Sequence, residues 1–348
     1  MKKFITKITL FVTISLSIFS CSITKDLNQG DLILRSNEIF INGLQISADS
    51  LSPLLAQKKN TYLIGFPLAG KLYQSSKKNS DSIFNTWINK RVYREKKLNS
   101  VLSKKQVSQL NKYYKDLNNW KKKNGEKLEI IDSVKTKISI ENLKSYYKNN
   151  GYFNSKISSK VIINQNNKKF GKVIYDVKTG NQYILDSIST NIESEILDSI
   201  YNLNLEKSIL KSNTIFNTKK FELERNRIDN LFKNSGIYDF QINSISFKIN
   251  LDTTNLNFNI PVEIIIKEKG LNKIYKKHTV NKINLFIEKE ELINETKKLF
   301  KYDSINFFSN STLDYNPKVL SDLILVKEND FYNDSKRSET INQLNNFD

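Results

Sequence analysis

The chain has 348 residues, 39% of them hydrophobic and 11% aromatic, with a formal net charge of +19, one cysteine and one histidine. That much apolar and aromatic material excludes an intrinsically disordered chain, and the length suits two or three domains. The lone Cys and lone His exclude a disulfide scaffold and a Cys/His zinc site.

Met1 to Cys21 reads as a targeting segment. Lys2, Lys3 and Lys7 make its positive start, and Ile8 to Phe19 is an apolar run too short to span a bilayer as a helix. It ends Ile18-Phe19-Ser20-Cys21, which resembles a bacterial lipoprotein signal. That resemblance implies cleavage before Cys21 and acylation of the new terminus, and Cys21 is the chain's only thiol. Two or more acyl chains anchor firmly where one is marginal. An ordinary secretory signal with an incidental cysteine is the alternative. The positive charge reads as a codon bias: lysines recur along the chain, Asn and Ile are also abundant, and Gly and Pro number only 10 and 4. No nucleic-acid partner is expected, and an anionic lipid surface stays open.

Ser22 to Asp31 is a polar tether. Leu32 to Ile46 reads as a strand, with Leu34, Ile39 and Ile41 on its apolar side, and Asp49 to Lys58 as a short helix. Tyr62 to Gln74 is an apolar run broken by Gly65, Pro67 and Gly70, so a long regular helix is not expected there. Ser82 to Arg91 reads as a helix end. Leu98 to Lys122 reads as one basic helix with Val107, Leu110, Tyr113, Tyr114 and Leu117 on an inner stripe. Core on one side and solvated lysines on the other is the favoured reading, a membrane-surface helix the alternative.

Ser139 to Val177 is the first of two similar stretches. Ser139 reads as an N-cap, Leu143, Tyr146 and Tyr147 as a helical stripe, and Gly151 as a left-handed C-cap. Ile157, Val161 and Ile163 then alternate as a strand with one buried face. A polar turn follows, and Val173, Tyr175 and Val177 alternate in the next strand.

Tyr183 to Ile192 is a strand and Ser194 to Leu203 a helix. The second similar stretch runs from Asn217 to Lys267. Asn217 or Thr218 caps its helix, Ile228, Leu231 and Phe232 precede Gly236 as the earlier stripe precedes Gly151, and strands follow over Ile245, Phe247, Ile249 and Leu251, then Ile260, Val262, Ile264 and Ile266. A period of about ninety residues suits small tandem domains rather than a solenoid. A third copy opens at Lys276 to Phe286, continues in an expected helix over Glu290 to Leu299 and a loop over Ser304 to Pro317, and closes on a helix capped by Asn333 or Asp334.

Each unit is thus strand, helix, helix, strand, strand, in an α+β chain. Tyr62 to Tyr73 (YLIGFPLAGKLY), Leu143 to Lys160 (LKSYYKNNGYFNSKISSK) and Arg225 to Tyr238 (RNRIDNLFKNSGIY) resemble segments of polypeptide-transport-associated (POTRA) domains. These belong to the BamA/TamA superfamily of outer-membrane assembly factors, and the likeness is to its lipidated TamA-like members from Bacteroidota. The resemblance implies tandem POTRA-like units, each a three-stranded mixed sheet with two helices on one face. It divides the chain into a signal peptide (1–20), a tether (21–31), unit 1 with an enlarged helical connection (32–181), unit 2 (182–270) and an incomplete unit 3 (271–348). Family members carry a C-terminal β-barrel. Lys276 to Asp348 shows no series of alternating strands of barrel length, so the barrel is expected elsewhere, or the chain to be a truncated or split product.

No catalytic, cofactor-binding or metal-binding set can be assembled: Asp186, Asp198, Asp252 and Asp303 are dispersed, His278 stands alone, and no phosphate or nucleophile motif is present. An enzyme is not expected. The resemblance implies a lipid-anchored outer-membrane protein with its domains in the periplasm. Its clients would be unfolded outer-membrane proteins or lipoproteins, its partners a β-barrel and a TamB-like periplasmic protein. Clients would bind by strand addition to a free sheet edge. The expected edges are the strands holding Ile157, Val161 and Ile163 and Ile245, Phe247 and Ile249, with Cys21 as the lipid site. The competing class is a structural or glycan-binding surface lipoprotein, with Phe307, Phe308 and Tyr315 as its candidate aromatic loop cluster.

Overall fold

The computed structural model describes residues 27–47, 50–62, 67–77, 82–91, 93–252, 254, 257–270, 273–287, 297–310 and 315–347. The expected signal and Cys21 lie outside these residues, as does most of the helix expected from Glu290. The chain divides into two compact units, Met1–Tyr146 with Ser155–Gly180 and Tyr147–Asn154 with Asn181–Asp348.

In the first unit, β1 (Ile33–Ile41) and β2 (Leu44–Ile46) form a hairpin. The expected single strand breaks because Asn42 and Gly43 both take positive φ, 49° and 85°, as a two-residue primed turn requires. Helices α1 (Leu68–Gln74), α2 (Ile83–Asn89), α3 (Tyr93–Val101) and α4 (Lys104–Asn124) follow, then α5 (Ser133–Asn149), β3 (Lys156–Ile163) and β4 (Phe170–Lys178). The sheet order is β2-β1-β4-β3, with β1 parallel to β4 and the outer pairs antiparallel. The expected three-stranded mixed sheet is its β1-β4-β3 part. One face buries Ile39, Val173, Tyr175 and Val177. Burial raises the Tyr175 hydroxyl pKa.

Three expectations are corrected here. Ser139 does not cap α5: Asp132 does, its carboxylate accepting from Val134 N at 2.7 Å. Ser139 is buried in the second turn, donating to Lys135 O and accepting from Ala56 N. The basic helix expected from Leu98 is two helices, because Ser103 and Gln106 form a capping box that starts α4 afresh. Of the short helix expected over Asp49 to Lys58, the described residues from Ser50 hold a 3-10 turn, Ser52–Leu54. The rest of that connection is held by buried amides. Gln57 Nε2 donates to Ile130 O at 2.7 Å and its Oε1 accepts from Asp132 N, while Asn60 pairs with Lys127 O and Glu129 N.

In the second unit, β5 (Ile184–Ile192), α6 (Glu195–Asn202), β6 (Thr214–Ile215), α7 (Thr218–Asn234), β7 (Ile245–Ile249) and β8 (Asn259–Ile266) give the order β6-β5-β8-β7. Again the central pair is parallel and the outer pairs antiparallel. Ile260, Val262, Ile264 and Ile266 form the buried face of β8, against Leu197, Ile200, Ile228 and Phe232 of the helices. Leu251, expected in the strand, lies beyond its end. A further sheet, β10-β11-β9, comprises β9 (Ile283–Ile287), β10 (Lys298–Tyr302) and β11 (Ile305–Ser309), beside α8 (Pro317–Asp322) and α9 (Asp334–Asn345). The expected loop from Ser304 is therefore strand over Ile305–Ser309. Phe307 is buried and Phe308 stacks on Phe286 across the other face, so they do not form an aromatic loop cluster with Tyr315.

The copies share a finer phase than hydrophobic pattern shows. Ile130, Ile215 and Phe331 bridge antiparallel to Ile33, Ile184 and Thr279 near the start of each first strand. Two residues later Asp132, Asn217 and Asn333 each accept a hydrogen bond from a backbone N–H of the following first turn. α5 and α7 both run 17 residues, and Gly151 and Gly236 follow at the same interval with φ of 87° and 99°.

Candidate functional site: two outer sheet edges

Strand position decides what a backbone can bind. Among the described strands, β3 and β7 each end a sheet. The opposite ends are closed by β2, three residues long, and β6, two residues long. Short edge strands of that kind blunt an edge, whereas the eight residues of β3 offer a row about 26 Å long.

The ladder fixes which backbone groups point outward. Asn164 N donates to Phe170 O at 2.9 Å, so this pair bonds inward. In an antiparallel ladder inward and outward residues alternate. Ser158, Lys160 and Ile162 therefore bond to β4, and Ile157, Ser159, Val161 and Ile163 aim N–H and C=O at the open side. In β7, Lys267 N donates to Ser244 O at 3.1 Å. By the same alternation Phe247 and Ile249 face outward with N–H and C=O, and Ile245 with its C=O alone, its N–H donating to Ile242 O. The six residues expected from the sequence thus all carry outward-directed backbone groups.

Their side chains do not match the expectation of one buried face in β3. Ile157 is buried, but Val161 is 45% exposed, Ile162 39% and Ile163 51%. Val161 pairs with the fully buried Val173, so cover is lost within one step toward the edge. Three consecutive exposed aliphatic residues on an edge strand form an unusual surface for a solitary domain. In β7 Ile245 is buried, while Phe247 and Ile249 pack partly on the core. The helix-free side of the first sheet has a shallow groove beside β3, bounded by Phe40, Ser158, Lys160, Ile174 and Asp176. Lys156 and Lys160 keep the edge cationic on that side.

Periodicity alone missed Glu224, which lies on the inner face of α7 between Phe221 and Ile228. It is fully buried and accepts from Ser208 Oγ, Ile209 N, and Arg227 Nε and Nη2 at 2.7–3.0 Å. Burial pulls the Arg227 pKa down, but the bonds and charge of Glu224 outweigh it and leave it raised. The signal was present: Phe221, Glu224, Ile228 and Phe232 share the helical spacing of a core stripe. This cluster fixes α7 to the turn after α6. Among the described residues no group of three His, Cys, Asp or Glu side chains could hold a metal ion, and no helix is long and apolar enough to cross a membrane.

No protein-family model matches the chain, and no curated protein matches it. Among solved structures it is similar to POTRA3-5 of Haemophilus influenzae BamA, at 14% identity over 92% of this chain and 88% of that one, with a TM-score of 0.35. It is also similar to the N-terminal domain of Omp85 from Thermosynechococcus elongatus, at 7% identity over 63% and 74% of the two chains, TM-score 0.24. A third is POTRA1-3 of the periplasmic domain of Omp85 from Anabaena, at 8% identity over 63% and 72%, TM-score 0.22.

Proposed function

We propose that this chain is a periplasmic client-binding region of an outer-membrane assembly factor of the BamA/TamA type, in its lipidated TamA-like form. Its POTRA-like units, 32–181, 182–270 and 271–348, take up strands of unfolded outer-membrane proteins or lipoproteins and pass them to a β-barrel. Acylated Cys21 holds the chain at the outer membrane, and a TamB-like protein is its periplasmic partner. The role is binding, not catalysis.

One observation carries this reading: two sheets of identical order each end in a strand with outward backbone groups. A guest strand added to β3 or β7 gains main-chain hydrogen bonds irrespective of its sequence, while the flanking side chains select only loosely. Each such bond is worth about 1 kcal/mol net, so one edge binds weakly. Two linked edges raise the effective concentration for a long client.

The test exploits the alternation. Ser159→Pro deletes an outward N–H and leaves the β3–β4 ladder whole. With a photo-crosslinker at Ser158, client cross-linking is expected to fall several-fold in Ser159→Pro and to persist in Ser159→Thr. Equal cross-linking in both variants rejects strand addition at β3.

A further inference from the structure

The positive charge is not spread along the chain as its composition suggests. From Lys90 to Lys127 thirteen basic residues stand against three acidic ones, more than half of the net +19 in about a tenth of the length. This stretch is the α3–α4 helical insertion of the first unit.

The insertion is also poorly buried. α3 buries no residue, and α4 buries only Asn118. Tyr93 and Val101 are exposed on α3, and Tyr113 and Trp120 on α4. At 100° per residue, Lys105, Lys112, Tyr113, Trp120 and Lys123 fall within about 100° of arc on α4, and all five are exposed; one acidic residue, Asp116, shares the arc and leaves it a net charge of +2. The opposite arc of α4, with Val107, Leu110, Tyr114 and Leu117, is the partly buried one. Beside α4, Trp87, Leu98, Val101 and Leu102 wall an apolar hollow rimmed by Arg94 and Lys97. Arg94 is pinned there, its guanidinium 5.0 Å from the Trp87 ring centre and donating to Trp87 O at 2.7 Å.

We propose that the α3–α4 insertion docks on the anionic surface of a phospholipid membrane. α4 lies along the surface, with Tyr113 and Trp120 at headgroup depth and Lys105, Lys112 and Lys123 among the phosphates. Amphipathic aromatic rings flanked by lysines suit an interface that is apolar on one side and anionic on the other. The hollow is not on this face, since Trp87 in its wall stacks on Tyr114 of the partly buried arc; the lipid-facing surface is the arc of Tyr113, Trp120 and the three lysines. Lysine attraction to anionic lipid adds residue by residue. The proposal is independent of the strand-addition reading and stands or falls without it.

The chain carries its own probe, since its two tryptophans, Trp87 and Trp120, both lie in or beside the insertion. The full chain is mixed with vesicles of phosphatidylcholine, alone or with phosphatidylglycerol, whose acyl chains are brominated. Tryptophan emission is expected to shift to the blue and be quenched on the phosphatidylglycerol vesicles only, and to recover in about 0.5 M salt. Lys105→Glu with Lys112→Glu and Lys123→Glu is expected to lower partitioning by roughly tenfold or more with an unchanged thermal melt. Lys112→Glu alone serves if the triple variant does not fold, with a smaller loss in the same direction. Emission that stays put while the chain sediments with the anionic vesicles overturns the proposal. So does equal quenching on both vesicles, or a shift produced by an RNA oligonucleotide and not by anionic lipid.

Discussion

At the scale of single residues, two features set the second unit. Gly151 has a φ of 87°, and a Cβ there would stand 3.0 Å from Tyr183 O and 3.1 Å from Phe216 O. Its own carbonyl accepts from Tyr183 N at 2.9 Å, as Gly236 O accepts from His278 N at 2.8 Å. Gly236 has looser surroundings, with side-chain atoms at 3.4–3.5 Å. Gly151→Ala is therefore expected to cost about 2–3 kcal/mol from strain and crowding, and Gly236→Ala about 1–2 kcal/mol. Urea unfolding followed by far-UV circular dichroism measures both, and the order Gly151 above Gly236 is the point at issue. Glu224 makes the other prediction. Removing its carboxylate leaves the Arg227 guanidinium and Ile209 N without that acceptor, while Ser208 Oγ keeps Leu210 O. Glu224→Ala is expected to lose about 3–5 kcal/mol in the same unfolding measurement, and Glu224→Gln less. A loss below about 1 kcal/mol would show the cluster to be solvated.

At the scale of elements, the edge strand separates binding from stability. Even-numbered residues of β3 donate inward and odd-numbered ones outward, as Asn164 N to Phe170 O fixes. Lys160→Pro deletes a ladder bond and is expected to cost about 1–3 kcal/mol more than Ser159→Pro, although the two positions are neighbours on the same exposed edge. Thermal melts of the two variants check this: equal melting temperatures would contradict the assigned parity, and a lower one for Ser159→Pro would reverse it. Element boundaries also show what pattern reading sees and misses. The stripe Leu143, Tyr147 and the alternation Val173, Tyr175, Val177 were legible because each is a burial period written in apolar residues. The start of α5 was not, since Asp132 caps it eleven residues before Leu143 opens the apolar stripe and Ser139 imitates a cap. Ser103 with Gln106 splits the basic helix through two polar residues that carry no hydrophobic signal. Val161 and Ile163 looked buried because alternation reports a shared face, not whether anything covers it.

At the scale of the molecule, the sequence shows the repeat and the structure shows its phase. The intervals from Gly151 and Gly236 back to their stripes were readable, and so was the order of helix and strands. The parallel pairing of β1 with β4 and of β5 with β8 was not, because partners so far apart in sequence leave no local mark. The same limit hid the ends β2 and β6, too short to announce themselves, which leave β3 and β7 as the longer edges of their own sheets. Amide hydrogen exchange read by NMR, with and without a client strand peptide, tests the central claim most directly. Slower exchange is expected at Ile157, Ser159, Val161 and Ile163, or at Phe247 and Ile249, with the inward amides between them unchanged. A peptide that binds while those outward amides exchange as before contradicts the account.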